Sequence, residues 1–125
     1  MTHTNEQMLE LFEATLRQLQ TPEEPELLYA PIIYSMSGGG KRLRPVLLLL
    51  TAEAFGGNID EAMIAAQAVE VFHNFTLLHD DIMDNASMRR GKPSVFAKWG
   101  GNVAILSGDA MLITAYKLLS ELSAE

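Results

Sequence analysis

Apolar positions recur along this chain at helical spacing, and no stretch alternates as a half-buried strand would. Thr4 with Gln7 three residues later is a capping-box pattern, and Leu9, Phe12, Leu16 and Leu19 then mark one face of a helix that Thr21-Pro22 stops. The helical pattern resumes from Pro25 to Met36. Pro31 lies inside it, and a restart with Pro31 in the first turn is the expected solution. Ser37 to Gly40 is a flexible break. Pro45 suits the first turn of a third helix, apolar almost throughout to Phe55 and closed by Gly56-Gly57. Hydrophobicity on all sides predicts that this helix is buried. Asn58 with Glu61 caps a fourth helix without a breaker to about Asn85, and Arg89 to Pro93 is expected to be a loop. Ser94 caps a single turn ending at Gly100-Gly101, and Asn102 opens a last helix running to the C-terminus. The pattern predicts an all-α fold. The last helix is apolar with nothing after it to cover it, so residues 1–125 are expected to be the N-terminal part of a larger bundle.

Composition narrows the classes. With 125 residues, 48% hydrophobic and 20% charged, the chain is globular and at most one domain. No cysteine is present, which excludes disulfides, zinc–thiolate sites and cysteine nucleophiles. Met1 to Glu10 is polar where a secretory signal would be apolar. Uninterrupted apolar runs such as Val46 to Leu50 are far short of a membrane span. A cytoplasmic protein without a transmembrane segment is expected. A net charge of −7 argues against nucleic acid as the partner. Of nine basic residues, however, six fall in two tight groups: Lys41, Arg42 and Arg44, then Arg89, Arg90 and Lys92. On an acidic chain, such groups beside glycine and proline mark local anion sites.

The fourth helix carries His79-Asp80-Asp81-Ile82-Met83-Asp84. At about 100° per residue, Asp80 and Asp84 lie ~40° apart on the helical wheel and one turn apart along the axis, with Asp81 on the flank. Three carboxylates this close repel each other, and a hard divalent cation is the natural compensation. Magnesium takes one or two carboxylates together with waters and phosphate oxygens. The preceding Phe72, Phe75, Leu77 and Leu78 make the carboxylates the end of a buried helix. His73 is only ~20° off the line of Asp80; taken alone it reads as a core histidine. His79 points away from that line and reads as structural, and Met88 and the other methionines read as core packing. Asp109 alone decides nothing. Thr76, one turn before Asp80, and Phe72, two turns before, face the path of a ligand running back along the helix.

Gly39-Gly40-Lys41-Arg42-Leu43-Arg44-Pro45, His73, Asp80-Asp81-Ile82-Met83-Asp84 and Arg89-Arg90-Gly91, in this order and spacing, closely resemble the trans-isoprenyl diphosphate synthases of the polyprenyl synthetase family. Asn102 to Ala110 looks like that family too, and the resemblance spans nearly the whole chain from about Pro25. It implies the isoprenoid synthase helical bundle and a homodimer. It implies that Lys41 and Arg44 hold the diphosphate of isopentenyl diphosphate, helped by His73 and Arg90. By the same resemblance Asp80 and Asp84 ligate magnesium on the diphosphate of an allylic co-substrate. Asp81 supports that site and Arg89 contacts the same diphosphate. The reaction implied is ionisation of the allylic diphosphate, alkylation of isopentenyl diphosphate and loss of a proton. Phe75, five residues before the aspartate motif, is where the family typically places an aromatic cap on product growth. The wheel sets it ~140° from Asp80, so simple geometry does not explain that role. A short-chain product, farnesyl or geranylgeranyl diphosphate, is implied.

Family members are more than twice as long and carry a second aspartate-rich motif, which these residues lack. The 125-residue segment alone is therefore expected to be inactive. Two other readings compete. A non-catalytic helical partner subunit would have no need of intact lysine, arginine and aspartate motifs. A terpene cyclase fragment would share the aspartate motif but would have no isopentenyl diphosphate for the Gly-Gly-Lys-Arg-x-Arg-Pro segment to hold.

Overall fold

The computed structural model describes residues 3–18, 26–37 and 40–122. Leu19, the Thr21-Pro22 stop, Pro25 and Gly39 lie outside them. Six helices carry the described chain: α1 (Asn5–Arg17), α2 (Glu26–Ser37), α3 (Leu43–Ala54), α4 (Ile59–Met83), α5 (Val95–Trp99) and α6 (Gly101–Leu119). Two two-residue strands, β1 (Met88–Arg89) and β2 (Lys92–Pro93), pair antiparallel between α4 and α5. The Arg89–Pro93 segment is thus a hairpin and not a plain loop. Arg90 (φ 53°) and Gly91 (φ 77°) both sit in the left-handed region, as the two central residues of a type I′ turn must.

Contacts divide the chain into two compact units. One comprises residues 1–20, 41–70 and 115–125; the other comprises 21–40 and 71–114. In the first, Thr4 caps α1 reciprocally with Gln7, and the α1 face packs against α3. Met8 and Phe12 meet Val46 and Leu49 of α3 and Ala62, Met63 and Ala66 of α4 in one apolar cluster. Small alanines on α4 leave room for the larger side chains opposite. The expected all-round burial of α3 does not hold, because Leu43 and Leu47 are exposed. The α3 helix ends as its glycines require. Gly56 is left-handed at φ 72°, Gly57 N–H donates to Ala52 O and Gly56 N–H to Glu53 O, which is a Schellman closure.

In the second unit α2 runs through Pro31 without restarting. Pro31 is the sixth residue of the helix, so its missing N–H removes a single bond, to the carbonyl of Leu27, and the buried ring packs in the interior. Tyr34 of α2 donates its hydroxyl to Pro93 O at 2.8 Å and stacks edge-on against Trp99, with Lys98 Nζ over both rings. Ser94 caps α5 through Ala97 N–H and donates its own hydroxyl to Ala86 O. Buried Ser107 of α6 donates to Leu28 O of α2 at 2.7 Å. These bonds fix the hairpin and the start of α5 onto α2.

The last helix departs from expectation twice. It begins at Gly101 rather than Asn102, and its 19 residues, with a mean hydropathy of 1.2 over 18 of them, make it long and apolar enough to cross a membrane by length and composition. Uninterrupted apolar runs miss this because Ser107, Asp109 and Thr114 punctuate the helix without lowering its mean. Ile113, Tyr116 and Leu119 are exposed on it. The methionines divide likewise: Met8, Met36, Met63 and Met111 are buried, whereas Met83 and Met88 are exposed and are not core.

Candidate functional site

Helix α4 ends among its carboxylates. Asp84 N–H donates to Asp80 O, Asn85 N–H to Ile82 O and Ala86 N–H to Asp81 O. With Asn85 left-handed at φ 52°, this is a second Schellman closure, and it fixes Asp84 as the capping residue one turn beyond Asp80. Asp80 and Asp84 are exposed, whereas Asp81 is buried. Carboxylates at a helix C-terminus face the negative end of its dipole, so three of them need compensation. Arg89 supplies it for one. Its Nε donates to Asp81 Oδ2 at 2.9 Å and its Nη2 to Asp81 Oδ1 at 2.7 Å, a bidentate fork. The hydrogen bonding to Asp81 holds the guanidinium proton above its ordinary affinity. Burial opposes this, and the charges of Asp81, Asp80 and Asp84 reinforce it.

Asp81 is thus neutralised within the protein, and Arg89 is its partner. Among the described residues no group of three His, Asp or Glu side chains gathers at metal-binding geometry. Two exposed carboxylates one turn apart remain, which suits a cation that keeps most of its shell for water and phosphate oxygens.

Asp81, Arg89 and Arg90 line one cleft with Tyr34, Lys92 and Ser94, with room for about 40 Å³. Arg90 is exposed and its guanidinium lies on Gly40, where a Cβ would come within 3.1 Å of it. Gly40 also has φ 122°, a conformation that strains any other residue. The cationic hairpin thereby approaches Gly40.

The other cationic group belongs to the first unit. Arg42 takes left-handed φ 53° at the head of α3 and turns its side chain inward. There Nε donates to Glu13 Oε1 at 2.9 Å and Nη1 to Glu70 Oε1 at 3.1 Å. Lys41 and Arg44, on either side, are exposed at a helix N-terminus, whose unsatisfied N–H groups and dipole favour anions. Nothing in the run of basic residues distinguishes Arg42 as the structural one; its partners lie 29 and 28 positions away.

His73 is half-buried in α4, and its carbonyl accepts from Thr76 Oγ1 at 2.5 Å. Phe72 is exposed, and its ring meets that of Phe75 at 5.5 Å. Phe75 also meets the His79 ring edge-on at 4.6 Å and faces Gly108 of α6, which is why a wheel centred on Asp80 does not capture its position. Phe72 is thus half-solvated in this structure, and the description of a wholly buried stretch before the aspartates does not hold for it. Asp109, undecided in sequence, lies on the same side of α6 with Oδ1 3.8 Å from His79 Nε2.

Comparison with known proteins places these features in a family. The polyprenyl synthetase profile matches residues 25–125. The chain is 48% identical over 113 residues to the geranylgeranyl diphosphate synthase of Methanosarcina mazei, covering 90% of this chain and 35% of that protein. It is 40% identical to the farnesyl diphosphate synthase of Geobacillus stearothermophilus, covering 97% of this chain and 41% of that one. A solved geranylgeranyl pyrophosphate synthase superposes with a TM-score of 0.94 at 51% identity, over 98% of this chain and 38% of its own. The chain thus spans a little over a third of the length of these relatives, and the helices described above adopt the isoprenoid synthase fold. It belongs to the polyprenyl synthetase family.

Proposed function

We propose that the full-length protein is a trans-prenyltransferase that condenses isopentenyl diphosphate with an allylic diphosphate to give a short-chain product. Geranylgeranyl diphosphate is the favoured product, in line with the names of several relatives. The observation that carries the reading is the end of α4: Asp80 and Asp84 are left outward while Arg89 neutralises Asp81. Asp80 and Asp84 would hold magnesium at the allylic diphosphate, where the cation would supply stabilisation of negative charge on the leaving group. Arg89, positioned by Asp81, contacts that same diphosphate. Lys41 and Arg44 bind the diphosphate of isopentenyl diphosphate, with His73 and Arg90 contributing. The allylic carbon–oxygen bond breaks and diphosphate departs. The resulting cation is attacked by the double bond of isopentenyl diphosphate, and a proton is lost to leave a chain five carbons longer. Phe75 ends chain growth, with Thr76 and Phe72 lining the path. The enzyme acts in the cytoplasm as a homodimer, and the 125-residue segment by itself is inactive.

The test is incubation of the purified full-length protein with radiolabelled isopentenyl diphosphate, an allylic diphosphate and magnesium, followed by chromatography of the products. Labelled geranylgeranyl diphosphate is expected. Absence of any prenyl product would refute the activity, and farnesyl diphosphate alone would refute the chain length. In Lys41→Ala or Arg44→Ala the Michaelis constant for isopentenyl diphosphate rises. Each loses a charge-assisted hydrogen bond worth about 1.5–3 kcal/mol, roughly tenfold to over a hundredfold. A rise confined to the allylic substrate would mean that the two diphosphate sites are reversed.

A further inference from the structure

Gly108 of α6 is where the chain leaves out a side chain for a specific neighbour. A Cβ built on it would lie 2.6 Å from His79 Nε2 and 2.8 Å from His79 Cδ2, closer than real Cβ contacts allow, yet only 3.6 Å from Phe75 Cδ1. The imidazole therefore brings its Nε2–Cδ2 edge against Gly108 of α6, filling the space that a side chain would take. Its ring also meets that of Phe75, with centroids 4.6 Å apart and planes inclined at 63°. His79 Nε2 is buried without a hydrogen-bond partner, its nearest charged neighbour, Asp109, standing off at 3.8 Å. A buried polar nitrogen without a partner costs free energy, so polar bonding does not explain the position of the ring. Packing does.

We infer that His79 is a specificity-determining positioning residue: seated on Gly108, it buttresses Phe75 and holds that ring where it stops prenyl elongation. This rests on the reading of Phe75 as the residue that ends chain growth. Without the imidazole, the Phe75 ring gains the space over Gly108 and swings toward α6, and the pocket lengthens. With a methyl group on Gly108, the imidazole is displaced against Phe75, and the product ratio changes through His79 alone.

The experiment measures product-length distributions for the full-length protein and its His79→Ala, Gly108→Ala, His79→Ala/Gly108→Ala, Phe75→Ala and Phe75→Ala/His79→Ala variants. His79→Ala is expected to shift the main product upward by at least one isoprene unit. Gly108→Ala is expected to alter the distribution in the wild-type background and to change nothing further in the His79→Ala background. Phe75→Ala is expected to lengthen products, and adding His79→Ala to it should lengthen them no more. The His79 side chain is 31% exposed, so His79→Ala folds and carries the test should Gly108→Ala unfold. Unchanged product lengths in His79→Ala would overturn the inference, as would lengthening that adds to that of Phe75→Ala. If Gly108 serves helix packing alone, Gly108→Ala lowers the melting temperature equally with and without the imidazole and leaves product lengths alone. If Phe75→Ala itself makes unchanged products, the reading of Phe75 fails and the buttress with it.

Discussion

Burying a guanidinium is costly unless carboxylates meet it, and Arg42 meets Glu13 and Glu70 with its own side chain 1% exposed and that of Glu70 4%. Removing it takes a charge partner from Glu70 in the interior. Arg42→Ala is expected to destabilise the full-length protein by about 3–5 kcal/mol, the cost of breaking a buried ion pair from one side. Lys41→Ala, one position earlier and exposed, should change stability by less than about 0.5 kcal/mol. Denaturant titration of both variants checks this, and equal losses would mean that Lys41 too is structural. The same contrast marks the aspartates: Asp81 is buried against Arg89, and Asp80 and Asp84 are exposed.

At the scale of elements, the end of α4 gathers like charges at the unfavourable end of a helix dipole. Asp80 stands near the negative end of the helix dipole beside two other carboxylates, an arrangement unfavourable by about 0.3–1 kcal/mol. Asp80→Asn is therefore expected to raise the metal-free melting temperature slightly while abolishing turnover. A lower metal-free melting temperature would show that Asp80 has a stabilising partner within the protein. The start of α1 is tied to the end of α3 by His3, whose backbone N–H and imidazole both engage Glu53. The backbone N–H bond from His3 leads in holding the Glu53 carboxyl below its ordinary range. A carboxylate depressed in the folded state contributes stability that is full above its unfolded pKa and lost as pH falls through the folded value. Glu53→Gln should accordingly flatten the acid limb of the stability–pH profile. Superimposable profiles would contradict the tie.

The elements legible in sequence were those whose signals are local. The Thr4–Gln7 box, the Asn58 and Ser94 caps and the Gly56-Gly57 stop each act within six residues. Pro31 deceived because the cost of proline depends on how far into a helix it falls. The hairpin stayed hidden because an Arg-Gly type I′ turn needs a non-glycine residue at positive φ, which only its tertiary setting secures. Of the site, the spacing of Asp80 and Asp84 was readable from a wheel. The Asp81–Arg89 fork and the Phe75–His79–Gly108 stack were not, since each depends on a second element folding back.

For the molecule as a whole, the decisive quantity is where negative charge develops during the reaction and which side chains meet it. In the proposed reaction that task falls to Asp80 and Asp84 through magnesium and not to Asp109, the remaining aspartate near His79. The most direct measurement is kcat for prenyl transfer by full-length Asp80→Ala, Asp84→Ala and Asp109→Ala at saturating magnesium and both diphosphates. Loss of a preorganised electrostatic stabiliser costs about 10²–10³ in kcat, so the first two are expected to fall at least that far and Asp109→Ala to stay within about tenfold of wild type. Near-normal turnover in Asp80→Ala or Asp84→Ala, or an equal collapse in Asp109→Ala, would contradict the account.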